Sequence, residues 1–98
     1  MLEALRLEAA AWALRRQADQ IEAAARRLRD RIDQSVDGGR WKGPSATQAR
    51  QAAQDRYGRL HQAAGDMHAL ATRFLAIARQ LREEEQRRAA AAAAAAHG

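Results

Sequence analysis

The side chains in this sequence that could carry chemistry are few. Cysteine is absent, which removes thiolate nucleophiles, thiolate metal ligands and disulfides together. Serine occurs only as Ser35 and Ser45, and neither has a triad partner close in sequence. His61 and His68 lie seven residues apart. On a helix that separation is about 10.5 Å, too far for both rings to bind one metal. Neither has a His, Asp or Glu four residues away, so both read as solvated surface histidines. No glycine-rich phosphate loop or metal-ligand spacing is present. The expectation is no catalytic residue, no metal, no cofactor and no enzyme.

The remaining chemistry is charge. The net charge is +5, and 16 of the 17 basic residues are Arg. Arg26-Arg27-Leu28-Arg29-Asp30-Arg31 is the densest basic run. Such a balance permits nucleic acid or an anionic surface as a partner, and a basic hairpin of that kind is the alternative function. Against it, Asp and Glu are interspersed along the chain and no aromatic residues interleave with the Arg clusters. The run reads as a solvated face near a helix C-terminus, where cations complement the dipole.

The elements that carry these residues are helical. Ala, Leu, Arg, Gln and Glu dominate, all of them good helix formers, and Val, Ile and Thr are scarce. Of 98 residues, 27 are Ala, so the apolar fraction overstates the area a core could bury. A small domain with a thin core and no disulfide leans on association. The N-terminus lacks a basic region followed by an apolar one, which predicts no cleaved signal peptide. No apolar run approaches the ~20 residues of a membrane-spanning helix.

Two periodic arms flank one break. In the first arm, Leu7, Leu14, Ile21 and Leu28 repeat every seven residues, as do Ala4, Ala11, Ala18, Ala25 and Ile32. This is a heptad seam, small on one side and large on the other, suited to a close antiparallel neighbour. Leu5 and Trp12 lie off that seam and predict an edge contact to a second chain. In the second arm, Ala46, Ala53, Leu60, Met67, Phe74 and Leu81 form one strip. Ala49, Ala63, Leu70 and Ile77 form another, and Tyr57, Ala64, Ala71 and Ala78 a third. The combined face is wider than one partner helix covers. It predicts a dimer, two hairpins making a four-helix bundle.

Between the arms stands Asp37-Gly38-Gly39-Arg40-Trp41-Lys42-Gly43-Pro44-Ser45. Gly38 or Gly39 can end a helix in the left-handed region, and Gly43, preceding Pro44, is biased to extended geometry. Ser45-Ala46-Thr47-Gln48 reads as a capping box. Trp41 is expected to fold over the end of the hairpin. The expected architecture is therefore all-α, an antiparallel two-helix hairpin domain over residues 1–88. Its parts are a helix over about 2–36, a bend over about 37–44 and a helix over about 45–88. Residues 89–98, mostly Ala, are expected to be a frayed tail.

With Trp41-Lys42-Gly43 in the central bend of a cysteine-free, all-helical chain, the sequence resembles the WXG family of type VII (ESX) secretion over roughly residues 2–88. The resemblance implies hairpins that dimerise antiparallel, with themselves or with a similar WXG-type protein. It implies export by the type VII machinery of actinobacteria and Firmicutes, without a signal peptide, so the chain is cytoplasmic first and secreted afterwards. Trp41 and Gly43 are then the motif on the export surface. Leu7, Leu14, Ile21, Leu28, Ile32, Leu60, Met67, Leu70, Phe74, Ile77 and Leu81 make the hairpin or dimer interface. The family's C-terminal Tyr-x-x-x-Asp/Glu pattern is not matched. The only Tyr is Tyr57, and the nearest C-terminal counterpart is Leu81-x-x-x-Glu85. That departure favours a heterodimer whose partner carries the pattern; the alternative is a WXG-like protein not exported by this route.

Overall fold

A computed structural model of the chain describes residues 2–98. It holds two helices, α1 (Leu2–Asp37) and α2 (Pro44–His97), arranged as a hairpin, with no strand among the described residues. The all-α hairpin expected from the sequence is the observed fold.

The bend is short and well specified. Gly39 takes φ 74°, the left-handed residue that ends α1. The Gly39 amide donates to the Val36 carbonyl at 3.1 Å and the Arg40 amide to the Ser35 carbonyl at 3.1 Å. Together these satisfy the orphan carbonyls of the last turn in the pattern of a Schellman motif. Trp41 adds a third tie, its amide also donating to Ser35 at 3.1 Å.

The start of α2 differs from the capping-box expectation. Helical geometry begins at Pro44, so Ser45 lies inside the first turn. Pro suits this first position because its missing N–H would have no helical acceptor there and its φ is already set. Gly43 sits before it at φ 89°, not in the extended geometry expected ahead of a proline. Its carbonyl accepts the Thr47 amide at 3.2 Å, closing the first helical turn.

The other end of α2 also differs from expectation. The helix runs on through residues 89–96 to His97, all of them exposed. Alanine has the highest intrinsic helix propensity, so the run extends a helix already nucleated upstream without needing a docking face.

The chain divides into two compact units. Unit 1 takes residues up to Arg15 together with His68–Gly98, and unit 2 takes Arg16–Met67. In each, a stretch of α1 packs on a stretch of α2, and among the described residues every buried side chain is an alanine. Unit 1 buries Ala4, Ala11, Ala71 and Ala78; unit 2 buries Ala18, Ala25, Ala46, Ala53 and Ala64. In a two-helix unit, an alanine with almost no exposed surface can be covered only by the other helix. Methyl groups at the contact let the helix axes approach to the short end of the usual 8–10 Å range.

Which strip of α2 makes that contact changes within unit 2. Ala46 and Ala53 belong to one seven-residue strip, Ala64 to the strip four positions on. A straight helix drifts by about 20° per heptad against a strict seven-residue repeat. Two heptads therefore carry the contact line across the ~40° between strips four residues apart.

Candidate interaction surface

The two flanks of the alanine seam differ in kind. On one flank polar groups join the helices. In unit 1, Arg82 donates through Nε to Glu8 Oε1 at 2.7 Å. In unit 2, Arg50 donates to Asp33 Oδ1 at 3.2 Å, to the Asp33 carbonyl at 3.2 Å and to Asp37 Oδ1 at 2.5 Å. The Arg29 guanidinium lies over the Tyr57 ring at 4.2 Å, a cation–π geometry. Tyr57 stacks on His61 at 5.7 Å, and His61 Nδ1 contacts Glu22 Oε1. Glu8, Glu22 and Arg29 are themselves spaced by multiples of seven on α1, so the polar row follows the same helical period as the alanines.

Arg50 is the residue that sequence patterning missed. It occupies the strip that later carries Tyr57, Ala64, Ala71 and Ala78, where a charge looks out of place. Its role follows from the end of α1, whose last turn carries Asp37 and no basic residue, an unfavourable charge for a helix C-terminus. Arg50 supplies the missing cation from the other helix. Its hydrogen bond to Asp37 holds the guanidinium above its ordinary pKa; partial desolvation opposes this, and the charges of Asp37 and Asp33 reinforce it. His61, expected to be a solvated surface residue, is instead part of the row that joins the helices, although its ring remains largely exposed.

The opposite flank is apolar and open. In unit 1 it presents Leu7 and Leu14 from α1 with Leu70, Phe74, Ile77 and Leu81 from α2. Leu70 is 39% and Ile77 44% exposed, and the other four are half-buried. In unit 2 the flank presents Ile21, Leu28 and Ile32 from α1 with Leu60 and Met67 from α2. Leu28 stands exposed beside a cleft lined by Leu28, Ile32, Ala49, Ala52, Ala53 and Arg56. The alanines of α2 leave room for this cleft. No large side chain is fully buried among the described residues, so the leucine strip expected beside the alanines forms the rim of the seam and not its centre.

Other expected residues lie elsewhere. Trp41 is 38% exposed at the bend, so more than half of its surface is covered by its own chain. Gly43 holds the φ described above with open space around its Cα. Trp12 is 58% exposed, with Arg15 stacked over its ring at 5.3 Å, and Leu5 is exposed near it on α1. Neither belongs to the leucine strip. Among the described residues no His, Asp and Glu group is placed to hold a metal, and no helix is long and apolar enough to cross a membrane.

No family model, curated protein or solved structure matches the chain.

Proposed function

We propose that this chain is a WXG-type hairpin protein whose activity is association. It pairs with itself or with a similar hairpin into a four-helix bundle, and the pair is exported by type VII (ESX) secretion as substrate or co-secreted partner, without a catalytic step. One observation carries the pairing: among the described residues all buried side chains are alanines, while Leu28, Leu70 and Ile77 stand exposed and other large apolar side chains half-buried on one flank of each unit. Each buried methyl contributes on the order of 0.8 kcal/mol. The leucines, isoleucines and phenylalanine beside the seam leave apolar area open, and a second hairpin laid on this flank covers it.

The export half of the reading is supported by Trp41-Lys42-Gly43. The glycine, like Gly39, is a residue of the bend that a side chain would strain, and the tryptophan is the large side chain displayed there. Both halves are testable. Light scattering over a hundredfold concentration range should give a helical species of twice the chain mass, alone or with a second hairpin protein. Ile77→Asp should return it to a helical monomer. In a host carrying the matching machinery, Trp41→Ala should leave helicity unchanged and abolish export. Unaltered export of that variant would sink the secretion reading, and a wild-type monomer with every candidate partner would sink the pairing.

A further inference from the structure

The sequence intersperses acids among the arginines of α1, and the fold sorts them apart. Within unit 2, α1 carries the acids Asp19, Glu22, Asp30, Asp33 and Asp37, and none of them is without a partner. Glu22 takes Arg26 and His61, Asp30 takes Arg29, and Asp33 and Asp37 share Arg50. Asp19 is engaged as well. Several cations of the same unit are left over. Arg16, Arg27 and Arg31 of α1, with Arg40 and Lys42 of the bend, make no ion pair or side-chain hydrogen bond among the described residues, and all are exposed.

These unpaired cations form a row. Arg16, Gln20, Arg27, Arg31, Gln34 and Gly38 follow one another at helical spacing on one face of α1. That face lies away from Ala18 and Ala25, which are buried against α2. Arg40 continues the row past the helix end: its Nε lies 3.9 Å from the point where a Cβ on Gly38 would stand. Lys42 lies back over Gly39 in the same way, its Cε 3.4 Å from the corresponding point. From residue 16 to residue 38 the row is about 33 Å long. It holds no acid and no apolar side chain larger than Ala. Trp41, 38% exposed, stands at its end.

We infer that this face of α1 and the bend bind single-stranded nucleic acid, with phosphates along Arg16, Arg27, Arg31 and Arg40 and an unpaired base on Trp41. The guanidinium fork matches phosphate oxygens, and a row of them on one helix tracks a linear polyanion. The objection that acids dilute the basic run fails here, because each acid is neutralised inside the chain and lies off the row. A bilayer surface is a poorer fit, since a helix lying in it must insert large apolar side chains and the row has none. A protein partner would want an apolar centre to the interface, which is also missing. A duplex could use the same cations but offers no open base face to Trp41. The row lies outside the apolar flank of unit 2, so the inference stands apart from the pairing reading.

The test is fluorescence anisotropy of a labelled oligothymidylate titrated with the full chain over a range of salt. The logarithm of wild-type affinity should fall with that of salt with a slope of about −3, the value for four phosphates on a single strand. Arg27→Gln with Arg31→Gln should bind about tenfold more weakly at low salt and cut the slope by about half. Arg73→Gln with Arg79→Gln, exposed cations of unit 1, removes the same charge and should change affinity and slope little. Trp41→Ala should weaken binding about tenfold and Trp41→Phe should restore it, with helicity by circular dichroism unchanged in every variant. No binding at low salt overturns the inference. So does an equal loss in the two double variants, which would make the effect one of net charge. Binding to phosphatidylglycerol vesicles in place of the oligonucleotide overturns it in favour of a membrane surface. A duplex bound as tightly as the single strand, with Trp41→Ala without effect, overturns the base contact and the preference for single strands. None of these outcomes bears on pairing or export, which light scattering and secretion assays decide separately.

Discussion

Arg82 of α2 donates from its guanidinium to the Glu8 carboxylate of α1 at 2.7 Å, across 74 residues of chain. It belongs to unit 1, where it joins the helices on the flank away from the exposed leucines. Both side chains keep about a third of their surface exposed, so water screens the pair and its worth is modest. A double-mutant cycle with Glu8→Gln and Arg82→Gln should give a coupling of about 0.5 kcal/mol at low salt, fading by 0.5 M salt. A coupling unchanged by salt would mean the pair is shielded from water in a way its exposure does not allow.

The alanine seam makes an unusual demand on substitutions. Ala71 and Ala18 have no exposed surface, and helices this close leave no room for a longer side chain. Ala71→Leu adds apolar bulk to a thin core, yet should destabilise the hairpin by about 1–3 kcal/mol. Ile77→Leu, on the open flank, should change stability little. Urea denaturation of both would decide the matter, and a more stable Ala71→Leu variant would show that the helices are not in contact there.

Gly43 is required for its backbone and not for its size. A Cβ at this position would meet nothing within 4 Å, but φ is +89°. Gly43→Ala should therefore cost roughly 1–2 kcal/mol, and Gly39→Ala, at φ +74°, a similar amount. Lys42→Ala should be nearly neutral. Thermal melts that place all three variants together would remove the backbone account of the bend.

Gly58 and Gly65 sit seven residues apart in α2, and a Cβ on either meets open space. Within one chain nothing rewards their presence. Gly58→Ala and Gly65→Ala should each raise helix stability by about 1 kcal/mol and leave self-association unchanged. A loss of self-association in either variant would show that a second chain approaches α2 on this side as well.

Much of the hairpin is legible without coordinates, because its signals are local. Seven-residue apolar strips need only the pitch of a helix, and Gly38, Gly39, Gly43 and Pro44 punctuate the chain through their own backbone preferences. The bend departs from its local signals only where two of them compete. Ser45 to Gln48 spells a capping box, but Pro44 fits the first helical turn and Gly43 can adopt the conformation ahead of it. The polar flank was mostly illegible. Arg50 and His61 look like ordinary surface residues until Asp37 and Glu22, thirteen and 39 positions away, are set beside them.

The sequence by itself determined two long helices, one glycine-bounded turn and several apolar strips that could each have been the core. Only the tertiary structure decided among those strips. It buried the alanines of both helices, passed the contact on α2 from Ala53 to Ala64, and left Leu28, Leu70 and Ile77 exposed. The physical reason is that burial depends on how closely two helices approach and on how each drifts against its seven-residue repeat. Both are properties of the pair, and a single strip of sequence carries neither.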